Sequence, residues 1–222
     1  MYLNDVLEKV FSNPSKIKIL RFLCLYKTEV TGRELAQFIG ISHTQAQNAL
    51  KELEEEGLVL SKRAGRAGLH RLNLKNEFVV IFLKDLFQQE KEFPGLILRK
   101  YLKPIFSRSL SVILFGSVRR KEERGNSDID IFILVKGGKE KNEVEEKCGN
   151  LAVQMLEATG NMLAPLVLTI KEYEKEKAAG KAILTEIEKG ELIYGKKAEK
   201  ALKGEYGDKE NTGKDKREKY IY

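Results

Sequence analysis

The sequence predicts an α+β protein of two domains, helical in its N-terminal part and built on a small mixed sheet in its C-terminal part. Between residues 15 and 53, apolar residues recur at helical spacing, and a glycine-rich hairpin pattern follows. Two later apolar runs, rich in β-branched residues, flank a charged segment as buried strands do. The order of helices and strands in that second part predicts a sheet with helices on one face.

Composition limits the classes of protein to consider. The 222 residues suit one large or two small domains, and no apolar run is long enough to cross a bilayer. The N-terminus lacks the pattern of a signal peptide, and the only cysteines, Cys24 and Cys148, do not have the spacing of a disulfide framework. We therefore expect a cytoplasmic protein without a membrane partner. The net charge of +7 indicates an anionic partner.

Two helix-start signals lie close together in the N-terminal region. Thr31-Gly32-Arg33-Glu34 and Ser42-His43-Thr44-Gln45 both have the capping-box pattern, and Gly40 between them is a stop signal. The second helix has an apolar face and an outer face rich in amide side chains. Two helices around a tight glycine turn predict a helix-turn-helix.

A basic hairpin pattern follows the second helix. Two short strand patterns, 58–63 and 69–74, flank a glycine-rich tip, and the segment from Gly57 to Leu74 contains four Lys or Arg residues and no acid. A hairpin of this kind beside a helix-turn-helix is a wing. The combination resembles winged-helix transcriptional regulators, and we assign residues 1–75 to such a domain.

The resemblance and the chemistry of the side chains together imply binding to double-stranded DNA. Amides can form paired hydrogen bonds with adenine, and arginine in a wing can reach phosphate or the minor groove. The expected DNA contacts are Thr44, Gln45, Gln47, Asn48, Lys51, Arg63 and Arg66. His43 fits phosphate contact and simple exposure equally well. The alternative is that the domain contacts protein, because Glu54-Glu55-Glu56 would repel DNA if it faced the groove.

A second helix-rich stretch connects the two parts of the chain. Residues 76–95 are expected to form a linker helix that ends near Phe93-Pro94-Gly95, because proline and glycine interrupt regular structure. Its apolar stretch from Phe78 to Phe87 predicts either plain core or the interface of a homodimer. A helix broken at Pro104 is expected from Leu96 to Ser109.

Two carboxylates interrupt the apolar run from Asp128 to Val135. Side chains alternate along a strand, so Asp128 and Asp130 point to one face while Ile129 and Ile131 point to the core. Two neighbouring carboxylates repel each other, and a divalent cation between them removes that cost. Oxygen ligands of this kind suit Mg²⁺ or Mn²⁺, with phosphate oxygens completing the coordination shell.

A glycine and a serine close the preceding apolar run, which begins at Val112. Gly116 permits close approach of a ligand to the backbone, and a helix predicted from Ser117 to Glu123 begins there. Free N–H groups at a helix start favour phosphate, and nearby Arg119, Arg120 and Lys121 are positively charged. A phosphate site facing a carboxylate pair is typical of phosphoryl or nucleotidyl transfer.

Leu114-Phe115-Gly116-Ser117, followed after nine residues by Ser127-Asp128-Ile129-Asp130-Ile131, resembles the signature of polymerase-beta-type nucleotidyltransferases, in particular the small minimal members. The resemblance implies that Gly116 and Ser117, with Arg119 and Arg120 nearby, hold a nucleoside triphosphate, and that Asp128 and Asp130 hold the metal ions and are catalytic. It also implies a third acid on a later strand. The matching strand, 163–169, contains no Asp or Glu. Glu157 and Glu172 flank it and are candidate substitutes.

These observations predict a winged-helix DNA-binding domain joined to a nucleotidyltransferase domain at residues 96–195, followed by a charged, disordered tail at 196–222. The expected activity is Mg²⁺-dependent transfer of NMP from an NTP to an acceptor that the sequence leaves open among protein, RNA and small molecules. The alternatives are an inactive, nucleotide-sensing transcriptional regulator and an antitoxin-like repressor whose main partner is another protein.

Overall fold

The computed structural model describes residues 4–26, 28–65, 67–125 and 127–202. Helices and strands occur along the whole of this part of the chain. The chain divides into two compact units, Met1–Pro94 and Gly95–Tyr222. Each unit has a sheet of its own, and the predicted α+β class is confirmed. No helix in the described residues is long and apolar enough to cross a membrane.

The N-terminal unit is a winged helix. Its elements in chain order are α1 (Val6–Val10), α2 (Pro14–Tyr26), β1 (Val30–Thr31), α3 (Gly32–Ile39), α4 (His43–Glu55), β2 (Val59–Ala64) and β3 (Ala67–Leu72). The three strands form an antiparallel sheet in the order β1-β3-β2. Both predicted capping boxes are present, with Thr31 and Ser42 as the N-caps of α3 and α4. Gly40 ends α3 in the left-handed conformation, with φ of 65°.

Side chains from α1 to α4, from the sheet and from the helical segment after the wing form the core of this unit. Ile19, Leu35, Leu50 and Leu53 are almost completely buried in it. Lys16 is also buried, and its ammonium group lies 2.8 Å from carboxylate oxygens of Glu52 and Glu56 on α4 and its C-cap. This buried ion pairing fixes α2 against α4 in addition to the apolar contacts.

The helix after the wing does not stop where the sequence predicts. A π-helix at Val79–Leu83 leads into α5, which spans Lys84–Phe106 and includes Pro94 and Pro104. The helix therefore continues through both prolines, and the expected interruption at Pro104 is wrong. Phe87 is buried in the N-terminal unit and Leu98 in the C-terminal unit, and such burial outweighs the hydrogen bond that a proline removes from a helix.

The C-terminal unit contains a four-stranded mixed sheet. Its elements are β4 (Ser109–Leu114), α6 (Gly116–Arg120), β5 (Ile129–Val135), α7 (Gly138–Thr159), β6 (Leu163–Thr169), α8 (Ile170–Ala178), α9 (Ala182–Glu188), β7 (Glu191–Gly195) and α10 (Ala198–Leu202). The strand order is β6-β5-β4-β7. The pair β5–β6 is parallel, with α7 as the connection, and the other two pairs are antiparallel.

Helices cover both faces of this sheet, so the prediction of helices on one face is wrong. Ile131 and Ile133 pack in a cluster with residues of α5 and α7, whereas Phe132 and Leu134 pack with residues of α8, α9 and α10. The reason lies in β5 itself, whose residues after Asp130 are all apolar. A strand that is apolar on both faces must be buried on both faces.

The segment expected to be a tail begins with a helix. Ala198 in α10 is 3% exposed and packs in the cluster that contains Phe132 and Tyr173. The prediction of a disordered tail from Lys196 is therefore wrong for residues up to 202, because an apolar side chain on this short helix reaches the core. Residues 203–222 lie outside the described part of the chain.

Both cysteines are buried and unpaired, as predicted for free thiols. Burial raises the pKa of Cys24 to about 12 and that of Cys148 to about 11. Thiols with such pKa values carry almost no thiolate at neutral pH, so they serve packing rather than chemistry.

Candidate functional site

The antiparallel pairing of β4 and β5 brings the glycine of the first motif to the carboxylates of the second. Leu114 pairs with Ile131, and the amide of Phe115 donates a hydrogen bond of 3.0 Å to the carbonyl of Asp130. Gly116 therefore lies directly beside Asp130 at the end of the sheet. Two motifs separated by nine residues in the sequence meet in one place.

Gly116 cannot be replaced without a clash. Its φ is +73°, and a Cβ atom at this position would lie 1.9 Å from Oδ2 of Asp130. Both the backbone conformation and the space exclude any other residue. The close approach that the structure shows at Gly116 is to Asp130, and the approach to a ligand stays a prediction.

Asp128 and Asp130, here called the carboxylate pair, differ in exposure. Asp128, the residue just before β5, is exposed, whereas Asp130, on β5, is half-buried. Burial raises the pKa of Asp130, the charge of Asp128 raises it further, Arg120 lowers it and Glu186 raises it. The site therefore holds more negative charge than its surroundings stabilise, which favours a bound cation.

The residues that the sequence assigns to phosphate lie on α6, which is shorter than predicted. The helix ends at Arg120 instead of Glu123, because Lys121 adopts the left-handed conformation with φ of 60°. Ser117 is half-buried and Arg119 is exposed. Arg120 is already paired, with Glu122 at 2.8 Å and with Glu186 of α9 at 3.1 Å.

The neighbouring strand supplies no third acid. In the parallel register, Asp130 lies opposite Ala164 of β6 and Phe132 lies opposite Leu166. Ala164 and Leu166 are on the same face of the sheet as Asp130, and both are apolar. Within the described residues, no group of three or more His, Cys, Asp or Glu side chains is placed to hold a metal ion.

Glu172 does not substitute for the missing acid, and that hypothesis is wrong. Its carboxylate accepts a hydrogen bond of 2.8 Å from Lys141 and another of 2.8 Å from the amide of Thr169, in the capping box that begins α8. The Lys141 hydrogen bond, together with the Thr169 amide, lowers the pKa of Glu172 to about 2. This position is at the opposite end of β6 from Ala164. Glu157, the other candidate, is exposed on α7.

Glu186 is the acid that sequence reasoning missed. It lies on α9, where Leu184 and Ile187 are buried and leave Glu186 at the margin of the helix. From there its carboxylate reaches Arg120 and acts on Asp130. Helical spacing indicates that Glu186 is exposed, but no sequence signal shows at which end of the sheet α9 lies.

In the N-terminal unit, the predicted DNA contacts lie on one surface of α4 and on the wing. Thr44, Gln45, Gln47, Asn48 and Lys51 are all exposed on α4. Arg63 is exposed on β2, and Arg66 lies outside the described residues. The helix that carries these side chains buries Ala46, Ala49, Leu50 and Leu53 on its other face.

Two of the glutamines have structural partners. The side-chain oxygen Oε1 of Gln45 accepts a hydrogen bond from the backbone N–H of Ser42. The side-chain nitrogen Nε2 of Gln45 can therefore donate to another group. The side chain of Gln47 lies 3.4 Å from a ring nitrogen of His43 and covers Gly32, where an added Cβ would come within 2.6 Å of its amide nitrogen. Thr44, Asn48 and Lys51 are better placed than Gln47 for a base or phosphate.

The acidic triplet at the end of α4 is largely engaged within the unit. Glu54 lies 2.9 Å from Nδ1 of His70 on β3 and contacts the hydroxyl of Ser61 on β2, which links the helix to the wing. Glu56 pairs with buried Lys16 of α2, and Glu55 lies 3.9 Å from Lys51 of α4. These contacts weaken the expected repulsion of DNA.

Comparison with known proteins identifies both units. A model of the MarR family matches residues 13–67. A model of the nucleotidyltransferase domain matches residues 97–204. None of the curated proteins compared with the chain matches it.

Three solved structures each match about two fifths of this chain. The homodimeric winged helix-turn-helix DNA-binding domain of a possible ArsR-family transcriptional regulator from Mycobacterium bovis is 24% identical, with 39% of this chain and 76% of that chain covered and a TM-score of 0.33. A predicted DNA-binding transcriptional regulator from E. coli is 25% identical, with 40% and 85% covered and a TM-score of 0.33. The AntR antimony-specific transcriptional repressor is 20% identical, with 40% and 78% covered and a TM-score of 0.34. The two family matches show that the chain contains a winged-helix domain similar to the MarR family and, after it, a nucleotidyltransferase domain.

Proposed function

We propose that this protein binds duplex DNA with its winged helix and, with its second domain, transfers NMP from a nucleoside triphosphate to an acceptor hydroxyl in the presence of Mg²⁺. The observation that carries the proposal is the half-buried Asp130 beside Gly116, in a domain of the nucleotidyltransferase family. No structural need of the fold explains a carboxylate in this position, whose pKa is raised by burial and by Asp128.

The carboxylate pair fits Mg²⁺ or Mn²⁺ by the chemistry of its donors. Asp128 and Asp130 supply oxygens on one side of β5, and a divalent cation offsets both the repulsion between them and the partial burial of Asp130. These cations take hard oxygen ligands and commonly complete their shell with water and substrate phosphates. When bound, Mg²⁺ stabilises the negative charge on the attacking and leaving oxygens of phosphorus.

The residues around the pair would bind and orient the triphosphate. The backbone N–H of Gly116 and the hydroxyl of Ser117 would donate hydrogen bonds to its outer phosphates, and Arg120 at the end of α6 would supply positive charge. The acceptor hydroxyl would attack the α-phosphorus, the bond between the α-phosphorus and its bridging oxygen would break, and pyrophosphate would leave. The acceptor proton would pass to solvent, because β6 offers no carboxylate beside Asp130.

A labelling experiment tests the transfer. The protein is incubated with Mg²⁺ and ATP, GTP or CTP labelled at the α- or the γ-phosphate, alone and with RNA or an extract of the native host. Nucleotidyl transfer predicts that only the α-label becomes attached to an acceptor and that pyrophosphate is released. Asp128→Ala should abolish the signal, whereas Asp85→Ala, which removes an exposed acid of α5, should not. Transfer that persists in Asp128→Ala would contradict the proposal.

A second function is favoured by the apolar residues opposite Asp130. With Ala164 and Leu166 where a third carboxylate is expected, the domain would bind Mg²⁺ and a nucleotide without turnover and regulate DNA binding through occupancy. This reading predicts saturable ATP binding, no transfer, and a DNA affinity that changes when ATP is added. Ala164→Asp places an acid opposite Asp130. Transfer by this variant but not by the wild type would support the hypothesis that the wild type only senses the nucleotide.

The proposal of DNA binding rests on the surface of α4 and the wing. Exposed Thr44, Asn48, Lys51 and Arg63 provide donors and positive charge, while Glu54 and Glu56 are engaged within the unit. Selection of duplexes from a random library by the full chain, followed by titration at several salt concentrations, tests it. Binding should weaken steeply with salt. Failure to retain any duplex at low salt would contradict it.

We also propose that a second copy of the chain covers the apolar surface next to the wing. Val80, Ile81, Phe82 and Leu86 are exposed, although the same segment buries Val79, Leu83 and Phe87. Large exposed apolar side chains in a cluster are typical of an interface. Light scattering should give the mass of a dimer, and Phe82→Glu should shift it to that of a monomer.

A further inference from the structure

We propose that Glu186 is a positioning residue of the nucleotide site: from α9 it holds the guanidinium of Arg120 beside the carboxylate pair, directed at the phosphates of the bound nucleotide. The inference rests on the proposed binding of a nucleoside triphosphate. It assigns a role to a residue that lies 56 positions after Asp130 in the sequence, outside both motifs of the candidate site.

The geometry around Arg120 shows two anchors. Its Nε donates a hydrogen bond of 2.8 Å to Glu122, and its Nη1 donates one of 3.1 Å to Glu186. Glu122 belongs to the segment just after α6, whereas Glu186 belongs to a helix that packs elsewhere on the sheet. A guanidinium has five N–H donors, so these two bonds leave three for phosphate oxygens.

The backbone places this ion pair beside the carboxylate pair. α6 begins at Gly116, where an added Cβ atom would lie 1.9 Å from Oδ2 of Asp130, and it ends at Arg120. Arg120 is thus about one helical turn away from the residue that contacts Asp130. A nucleotide held by the carboxylate pair would lie next to Arg120.

Arg120 needs an anchor because its own helix does not provide one. It is the last residue of five-residue α6, its side chain is 43% exposed, and Lys121 after it is left-handed. A long exposed side chain samples many rotamers and loses that freedom when it binds a ligand. An anchor that restricts the rotamers before binding reduces this loss.

Glu186 is a suitable anchor because α9 is fixed by its other face. Leu184 and Ile187 are buried in the cluster that contains Ile113 and Phe132. The carboxylate of Glu186 is thus carried by a helix packed on the same sheet that carries Asp130. The charge of Glu186 alone would repel a triphosphate, so a favourable contribution from it must act through Arg120.

A double-mutant cycle tests this role in the full chain. Binding of ATP in the presence of Mg²⁺ is measured calorimetrically for the wild type, Arg120→Ala, Glu186→Ala and the double variant, and melting temperatures are recorded for all four. Glu188→Ala is the matched control, because it removes an acid of the same helix that lies 3.3 Å from Lys177 and not at Arg120. The Nε–H signal of Arg120 is followed by NMR without nucleotide.

We expect Arg120→Ala to weaken ATP binding about tenfold, since it removes charge-assisted hydrogen bonds. Glu186→Ala should weaken it about threefold in the wild-type background and should leave it unchanged or tighter once Arg120 is absent. Glu186→Ala should also make the Arg120 Nε–H more mobile, which Glu188→Ala should not do.

The outcomes separate the two proposals. A wild type that binds no Mg²⁺–ATP would contradict the proposed function and this inference with it. Normal binding with no effect of Glu186→Ala, or with the same effect whether or not Arg120 is present, would overturn the inference alone. A loss of binding matched by an equal loss in Glu188→Ala would show that α9 is needed only for the fold.

Discussion

The two domains carry their candidate functional side chains in opposite ways. On α4 the side chains expected to meet DNA are exposed, and a separate face with Leu50 and Leu53 forms the core. On β5 the half-buried Asp130 stands between Ile129 and Ile131 of the core and beside Gly116. The contrast indicates that the candidate DNA-binding surface is separable from the fold, whereas the carboxylate pair is part of the sheet.

The strongest test of this contrast is Gly116→Ala. The added methyl group would collide with Asp130, and alanine disfavours the left-handed backbone at φ of +73°. We expect a loss of about 2–4 kcal/mol in unfolding free energy together with loss of Mg²⁺–ATP binding. Denaturant unfolding and calorimetry measure the two effects. Gly125→Ala, where no atom lies within 4 Å of the added Cβ, is the control.

Asp130→Asn should separate binding from stability at the same place. Removing one charge from the carboxylate pair should weaken Mg²⁺-dependent ATP binding by about 100-fold, because the variant lacks a carboxylate that we propose as a ligand of the cation. Unfolding free energy at neutral pH should stay equal or rise, since burial and the charge of Asp128, which raise the pKa of Asp130, disfavour its charged form in the folded protein. A clear drop in stability at pH 7 would contradict this account of the site.

Lys51→Ala and Arg63→Ala probe the other domain. Both side chains are exposed, so each substitution should leave the melting temperature unchanged. Each should weaken DNA binding at all sequences and reduce the slope of log K against log salt by about 1, as expected for the loss of one phosphate contact. Lys18→Ala, on α2, is a charge-matched control. A marked loss of stability would show that the DNA surface is not separable from the fold.

Glu172→Gln is expected to have the smallest effect and concerns stability alone. Its pKa is lowered to about 2 by the Lys141 hydrogen bond and the Thr169 amide, so the charged form stabilises the fold. That contribution is present above the pKa of an unfolded glutamate and is lost as the pH falls toward 2. Because the side chain is 43% exposed, we expect a loss of about 0.5–1 kcal/mol at pH 7. The difference from wild type should shrink in acid, and ATP binding should not change.

The features that the sequence predicts well depend on residues that are close together in the chain. The capping boxes at Thr31 and Ser42 involve hydrogen bonds between residues three positions apart, and both are found. The apolar runs around Ile113 and Ile131 likewise appear as strands, because β-branched residues favour buried strands whichever partner they pair with. The meeting of the Gly116 motif with Asp130 follows from antiparallel pairing of these two runs.

The features that the sequence does not predict depend on packing between residues that are far apart in the chain. The helix through Pro94 and the helix at 198–202 form because distant apolar side chains cover them. Glu186 enters the site through the placement of α9, which no local pattern encodes. Glu172 flanks the correct strand in the sequence but lies at its wrong end, because one end of a strand is about 20 Å from the other.

The strand order has a consequence for the nascent chain. β7 pairs with β4, and its Tyr194 lies opposite Val112. The ribosome therefore adds more than eighty residues after Val112 before this partner is made. Until residues 191–195 leave the ribosome, one edge of β4 has no partner strand, and an unpaired apolar edge invites β-strand addition by other chains. Messages truncated before Glu191 should therefore yield products that aggregate or are degraded, even though the N-terminal domain is complete.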